Sequence, residues 1–426
     1  MQTAAHCSRR TMLKTTGAAA AGALLANSAA SAIASTSANP NVPWPSWRGP
    51  NRDGVVQGDW SSDFSGLKKQ WSNQYSDSYS GPIVAGGKVF TTETVAKRDE
   101  TLIALDQQTG EQVWKQEWSG AMTVPFFAKA NGDWIRSTPA TDGKTVVVGG
   151  MRDVVAAFDA ETGNETWRID FVKQHGATIP SFGLVCSPLI YGEYVYMQAG
   201  GAVRKINLAN GELVWAAMGD SGGMYGGAFS SPIIAELHGV RQLVVQTRKT
   251  LCGISLESGD VLWQQDIPSF RGMNILTPSV WKNNVFTSSY GGKAFMLSVG
   301  HSGGNWSVET AWKSKTEAYM SSPVIVGDYL YVHLRSNRVS CVDLATGEET
   351  WRTTPFGKYW SMVTNGKNIL SLDEAGDLRL LAANPEKYTL LDEKRVSEEP
   401  SWAHLAVAGS QVFIRRQRGL DAYNWS

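Results

Sequence analysis

Two short stretches carry the residue types that a serine nucleophile and its histidine base would need: Thr3-Ala-Ala-His6-Cys7 and Gly219-Asp-Ser221-Gly-Gly223. A nucleophile works only with its base within hydrogen-bond reach. His6 lies in a segment with the features of an export signal, removed on maturation, and Ser221 sits in a glycine-rich connection where Gly-Asp-Ser-Gly is ordinary turn composition. No proteolytic chemistry is expected from them. The acids Asp373, Glu374 and Asp377 fall in a Gly-Asp strand turn and lack the spacing of a calcium cage. His175 and His404 are too far apart in sequence to form a recognised short-spaced metal motif. No metal site is therefore assigned.

A different set of residues recurs in segments between apolar runs. It comprises Phe126, Phe127, Trp134 and Arg136; His175; Met224 and Tyr225; Phe270, Arg271 and Asn274; Tyr319; Lys358, Tyr359 and Trp360; Trp402 and His404. Flat apolar rings combined with Arg, His and Asn suit recognition of a small molecule or a peptide. The ligand-binding candidates are Arg136, His175, Tyr225, Arg271, Asn274, Tyr319, Trp360, Trp402 and His404. Competing with this assignment is simple packing of aromatic side chains into a wide channel.

The elements that must position these residues are repeats. Residues 104–114 (ALDQQTGEQVW) return as 157–167, 205–215, 253–263 and 341–351, with a worn copy ending at Trp312 and another, 381–391, placing Leu391 at the Trp position. The intervals between these ends are 53, 48, 48, 49, 39 and 40 residues. Each copy reads as strand, turn, strand, the turn typically an Asp or Asn with Thr-Gly, and each follows a second strand pair such as 322–332. Four strands per unit cannot bury both faces alone, so the units stack around a central channel. Trp71, Trp114, Trp167, Trp215, Trp263, Trp312 and Trp351 then lie at blade-to-blade contacts as structural residues. Ser401 to Tyr423 supplies only three further strands, while Leu67-Lys-Lys-Gln-Trp71 carries the missing strand-ending Trp. The sequence thus predicts an all-β, eight-bladed β-propeller of four-stranded antiparallel blades, closed by the N-terminal strand around Trp71 together with the C-terminal strands. Closure removes the open sheet edges of an unfinished array.

The pattern A-x-D-x-x-T-G-x-x-x-W resembles the signature of the pyrroloquinoline-quinone (PQQ) repeat propellers, the quinoprotein alcohol dehydrogenase-like group that includes outer-membrane assembly scaffolds. The leader, 44–54 (WPSWRGPNRDG), resembles the segment that precedes such propellers in exported planctomycete-type proteins. The resemblance raises PQQ with Ca²⁺ as a cofactor, but the adjacent cysteines of quinoprotein dehydrogenases are missing and no catalytic residue can be carried across. No cofactor is therefore expected.

Ser8-Arg9-Arg10-Thr11-Met12-Leu13-Lys14 before an Ala-rich run reads as a twin-arginine signal, 1–34, followed by a leader, 35–64, and the propeller, 65–426. Removing the signal changes 39 basic against 39 acidic residues to 36 against 39, which disfavours nucleic acid as a partner. No later apolar run is long enough to span a bilayer. Cys186, Cys252 and Cys341 fall in separate repeats and are expected to be unpaired, with Cys341 at a position that Ala104 and Ala157 occupy elsewhere. The expected protein is periplasmic or otherwise exported, monomeric, and a non-catalytic binding scaffold, its small-molecule, protein or peptide site lying at the loop-rich channel mouth. The alternative is a PQQ- or other cofactor-dependent oxidoreductase or a hydrolase using the same face. The absent lipidation cysteine separates it from the assembly scaffolds it resembles.

Overall fold

The computed structural model describes residues 44–220 and 227–425. Thirty-two strands form eight four-stranded sheets, and in seven of them the strands follow chain order from the channel outward. Blade 1 begins at Ile83, blade 2 at Ala140, blade 3 at Leu189, blade 4 at Ile233, blade 5 at Ser279, blade 6 at Val324, blade 7 at Ser361 and blade 8 at Ala406. In blade 8 the outermost strand is Leu67–Gln74, antiparallel to Gly419–Trp425, so the two ends of the chain close the ring as the sequence predicted.

The repeat signature has a physical cause visible at the blade junctions. Each conserved turn ends in a glycine with positive φ, for example Gly163 (75°) and Gly211 (76°), and a Cβ there would come within 2.6 Å of Trp114 and 2.9 Å of Trp167 respectively. Glycine therefore serves both the left-handed turn and the close approach of the preceding blade's indole. That indole also donates its Nε1–H to a backbone carbonyl of the next blade: Trp71 to Gln107 (3.1 Å), Trp114 to Ala160 (3.1 Å), Trp167 to Leu208 (2.7 Å), Trp215 to Leu256 (3.3 Å), Trp312 to Leu344 (2.9 Å) and Trp351 to Asn384 (2.9 Å).

Two junctions depart from this rule. Blade 5 replaces the Thr-Gly turn with a long hairpin, Ala294–Ser302 and Asn305–Ser314, and Trp263 turns instead to Gln242 Oε1 of its own blade (2.6 Å). Blade 7 corrects the sequence alignment. Ala104 pairs with Trp114, and the equivalent partner of Leu380 is Asp392, so Asp392 rather than Leu391 holds the Trp position. The reason is that blade 8 has no covalent turn between its last two strands on which an indole could dock. Asp392 Oδ2 accepts the Phe64 N–H (2.6 Å) from the segment leading into the closing strand.

The leader is packed against the inner strands. Trp44 bridges Val84 of blade 1, Val55 bridges Thr364 of blade 7, and Pro45 O accepts the Thr141 N–H of blade 2. Between these anchors the chain crosses the channel, with Arg48 reaching Pro323 O before blade 6 and Arg52 reaching Ser187 O before blade 3. Cys186, Cys252 and Cys341 are buried and unpaired, and Cys341 faces Trp351 as Ala104 faces Trp114.

Candidate functional site: the aromatic rim of the channel

The connections that run from the outermost strand of one blade to the innermost strand of the next must return across the end of the ring. They therefore gather around the channel mouth. Many carry Ser or Thr followed by Pro just before the inner strand, and these hydroxyls bond from blade to blade: Gly81 N–H to Thr138 Oγ1 (2.9 Å), Thr138 N–H to Ser187 Oγ (3.0 Å) and Ser187 N–H to Ser231 Oγ (3.0 Å). Proline suits this position because the strand-initial backbone needs no ladder donor there. This collar holds the connections in register.

The connections, joined by Tyr290 from the turn between Asn284–Ser288 and Ala294–Ser302 of blade 5, carry a continuous aromatic array. Phe270 meets Tyr290 at 6.0 Å between centroids, Tyr290 stacks on Tyr319 (4.7 Å), Tyr319 meets Tyr359 (5.7 Å), and Tyr359 meets Trp402 (4.6 Å). Trp402 stacks on Tyr79 (4.8 Å, 14°), which meets Trp134 edge-on (5.1 Å). A second arc, Phe126, Phe127, Phe182 and Phe229, spans the connections into blades 2, 3 and 4. Most of these rings are half-buried, and Phe126 is 86% exposed.

Cations sit on the array: Arg136 over Tyr79 (5.5 Å), Arg335 over Tyr290 (4.7 Å), Lys358 over Tyr359 (4.5 Å) and Arg271 over Phe270 (4.8 Å). Acids fix the geometry. Glu374 accepts the Trp402 indole N–H (2.9 Å) and pairs with Lys358 (3.4 Å), while Glu317 pairs with Arg335 (3.2 Å). Burial against neighbouring rings pushes the Tyr79 and Tyr319 hydroxyls well above the usual phenol range, so both remain neutral. The surface is thus apolar and flat with fixed polar edges, suited to holding a ring, a proline or an aliphatic side chain.

The structure brings together Arg136, Arg271, Tyr319 and Trp402 on this rim. Trp360 goes elsewhere: it is 1% exposed, stacked on His333 (5.1 Å) under the Arg379 guanidinium and packed among blades 6 and 7. Asn274 is buried, its amide bonding Arg248 O (3.0 Å) and Ile267 O (3.1 Å) as a brace for the connection. His175 ends a one-turn helix, Phe171–His175, and lies exposed against Phe171. His404 lies deeper, beside Trp47 of the leader, and donates Nδ1–H to Leu405 O (2.9 Å). Burial, reinforced by Arg48, pushes its pKa down to about 3 and keeps the ring neutral. Tyr225, Met224 and Ser221 lie outside the described residues. Sequence reasoning missed Tyr79 and Tyr290. Tyr79 stands three residues before a Pro, as Arg136 and Phe229 do, and aligning those prolines would have exposed it.

Among the described residues no group of three or more His, Cys, Asp or Glu is placed to hold a metal ion. The three buried cysteines stand in separate repeats.

A closed ring of eight four-stranded blades, most of them with a Gly turn and a docking Trp, defines the class, a PQQ-repeat propeller. The chain belongs to the family described as Outer membrane protein assembly factor BamB (PQQ_2), matched at residues 54–116 and 98–353. Residues 6–26 match the twin-arginine translocation signal family, which marks the chain for export by that pathway. The outer membrane protein assembly factor BamB of Shewanella oneidensis is 22% identical over 290 residues, which are 63% of this chain and 65% of that protein, just under two thirds of the relative's length. Among solved structures, BamB from Moraxella catarrhalis superposes with a TM-score of 0.63 at 14% identity, covering 84% of this chain and 99% of that one. The quinohemoprotein alcohol dehydrogenase ADHIIG from Pseudomonas putida HK5 superposes at 0.61 with 12% identity, covering 91% and 80%. At such identities the superpositions show a shared fold.

Proposed function

We propose that this exported propeller is a non-catalytic binding scaffold whose partner or ligand site is the aromatic rim. The observation that carries the reading is the contiguity of the array. Phe270, Tyr290, Tyr319, Tyr359, Trp402, Tyr79 and Trp134 form one chain of ring contacts, yet none of them belongs to the Thr-Gly-Trp motif that holds the blades together. Half-exposed aromatics ordered by neighbouring carboxylates are pre-arranged for contact, which lowers the cost of fixing them on binding. The relatives' description as assembly factors supports a protein or peptide as the occupant. The test is site-specific photo-crosslinking in the native envelope, with the probe at Phe126 or Phe270 on the rim and at Val214 on an outer strand. Discrete adducts are expected from the rim positions and none from position 214; equal labelling at all three would refute the reading.

A further inference from the structure

The leader places two arginines in the channel, and one of them, Arg52, has few partners. Arg48 and Arg52 are each 1% exposed. Arg48 is well held, donating to Arg52 O (3.3 Å), Asp53 O (3.0 Å) and Pro323 O. Arg52 makes a single hydrogen bond, to Ser187 O (3.0 Å), and its Nε and Nη1 are buried with no acceptor. Neither guanidinium forms an ion pair with a carboxylate among the described residues. The Asp53 carboxylate is engaged with its own segment, accepting the Val55 N–H (2.9 Å). Trp47 lies 5.8 Å from the Arg48 guanidinium and 6.0 Å from that of Arg52, a shared flat wall. The residues on either side of Arg52, Asn51 and Asp53, are exposed.

Asp53 offsets part of the charge of Arg48, whereas Arg52 is held out of water beside a like charge with most of its donors unused, which is costly. If Arg52 served only to tie the leader to blade 3, a neutral donor would do so at lower cost. We propose that Arg52, backed by Arg48 and walled by Trp47, is an anion site inside the channel that takes a carboxylate or an oxyanion of similar size. Nε–H and Nη1–H leave the guanidinium on different edges, because the neighbour of each in a two-pronged contact is Nη2, which is already engaged by Ser187 O; each unpaired N–H therefore offers one charge-assisted hydrogen bond to an anion oxygen. The carboxylate could belong to a free small ion or to the C-terminus of a peptide. The site stands independently of what the rim binds, because none of the rim's ring contacts involves Arg48 or Arg52.

The experiment is thermal melting and isothermal titration of the mature protein at fixed ionic strength with acetate, phosphate, a tripeptide acid and the corresponding tripeptide amide. Saturable binding of acetate or phosphate, with a melting temperature several degrees higher than in chloride, is expected. A peptide acid that binds at least tenfold tighter than acetate, with an inert amide, assigns the site to a peptide terminus; equal affinities assign it to a small ion. Arg52→Met should abolish the anion-dependent shift and melt no lower than the wild type in anion-poor buffer, since it removes an uncompensated buried charge. The proposal is overturned if the wild type shows no saturable anion binding, if Arg52→Met keeps the shift, or if Arg52→Met merely melts lower. Should that variant fail to fold, the wild-type isotherms alone decide.

Discussion

Trp360 and Trp402 lie in connections leading into adjacent blades, yet they do opposite work. Trp360 faces inward, onto His333 and under Arg379, whereas Trp402 stacks on Tyr79 with its edge tied to Glu374. Trp360→Ala should cost about 3–5 kcal/mol in denaturant unfolding. At Glu100 the environment produces a pH effect. The buried carboxyl accepts the Trp118 indole N–H (3.0 Å) and the Met151 N–H (2.9 Å), but burial outweighs both bonds and raises its pKa to about 7 from an ordinary 4.5. The folded state therefore holds more proton than the unfolded state between those values, and Glu100 withdraws stability as pH rises through the window, by about 3 kcal/mol in all. His333, lowered to about 4, and His404, lowered to about 3, act with the opposite sign below 6.5. The measurement is accordingly a difference: wild-type minus Glu100→Gln unfolding free energy, from pH 4 to 8, should decline as pH rises, and a flat difference would refute the assignment.

The recurring element is an indole docked on the glycine of the next blade's turn. Gly211→Ala should cost about 2 kcal/mol or more, because φ is +76° and the new Cβ would press on Trp167. Gly303→Ala, also at positive φ but with nothing within 4 Å, should cost clearly less in thermal melts. Equal losses would mean that backbone strain alone accounts for the glycine. These docking elements were legible in the sequence because their residues sit at fixed offsets within each repeat. The place of Asp392 was hidden because the outer turn of blade 7 is longer than in the repeat: Leu380 pairs with Asp392, twelve positions on, where Ala104 pairs with Trp114, ten positions on. The connections were legible as rich in chemistry, but which side chains face the mouth was not: a one-residue change of phase sends Trp360 inward and Tyr359 outward. The leader's course was hidden for another reason. It has no repeat, and its partners Val84, Ser187, Pro323 and Thr364 come from four different blades.

For the whole molecule, closure is what turns eight sheets into one cooperative unit. Trp71 docks on blade 1 through Gln107 O and Gly110, while its strand pairs with Gly419–Trp425. Deleting the chain through Ser72 removes that strand together with the leader clip on blades 1, 2, 3, 6 and 7. A large, single drop in melting temperature is expected, since two blade faces become exposed. A truncated protein that melts within a degree or two of the intact mature form would contradict the closed ring.

The ring is held by its docking tryptophans and closing strand, and binding is the role proposed for the rim. The most direct test is the double variant Tyr79→Ala/Trp402→Ala, measured for both melting temperature and photo-crosslinking yield from position 270 in the native envelope. These rings lie outside the blade motif and are half-exposed. The account predicts a melt close to that of the wild type and loss of the specific adducts, with a binding penalty of about 2 kcal/mol or more if they are anchors. A sharply lowered melt with adducts unchanged would contradict it, and the aromatic mouth would then be a structural seal.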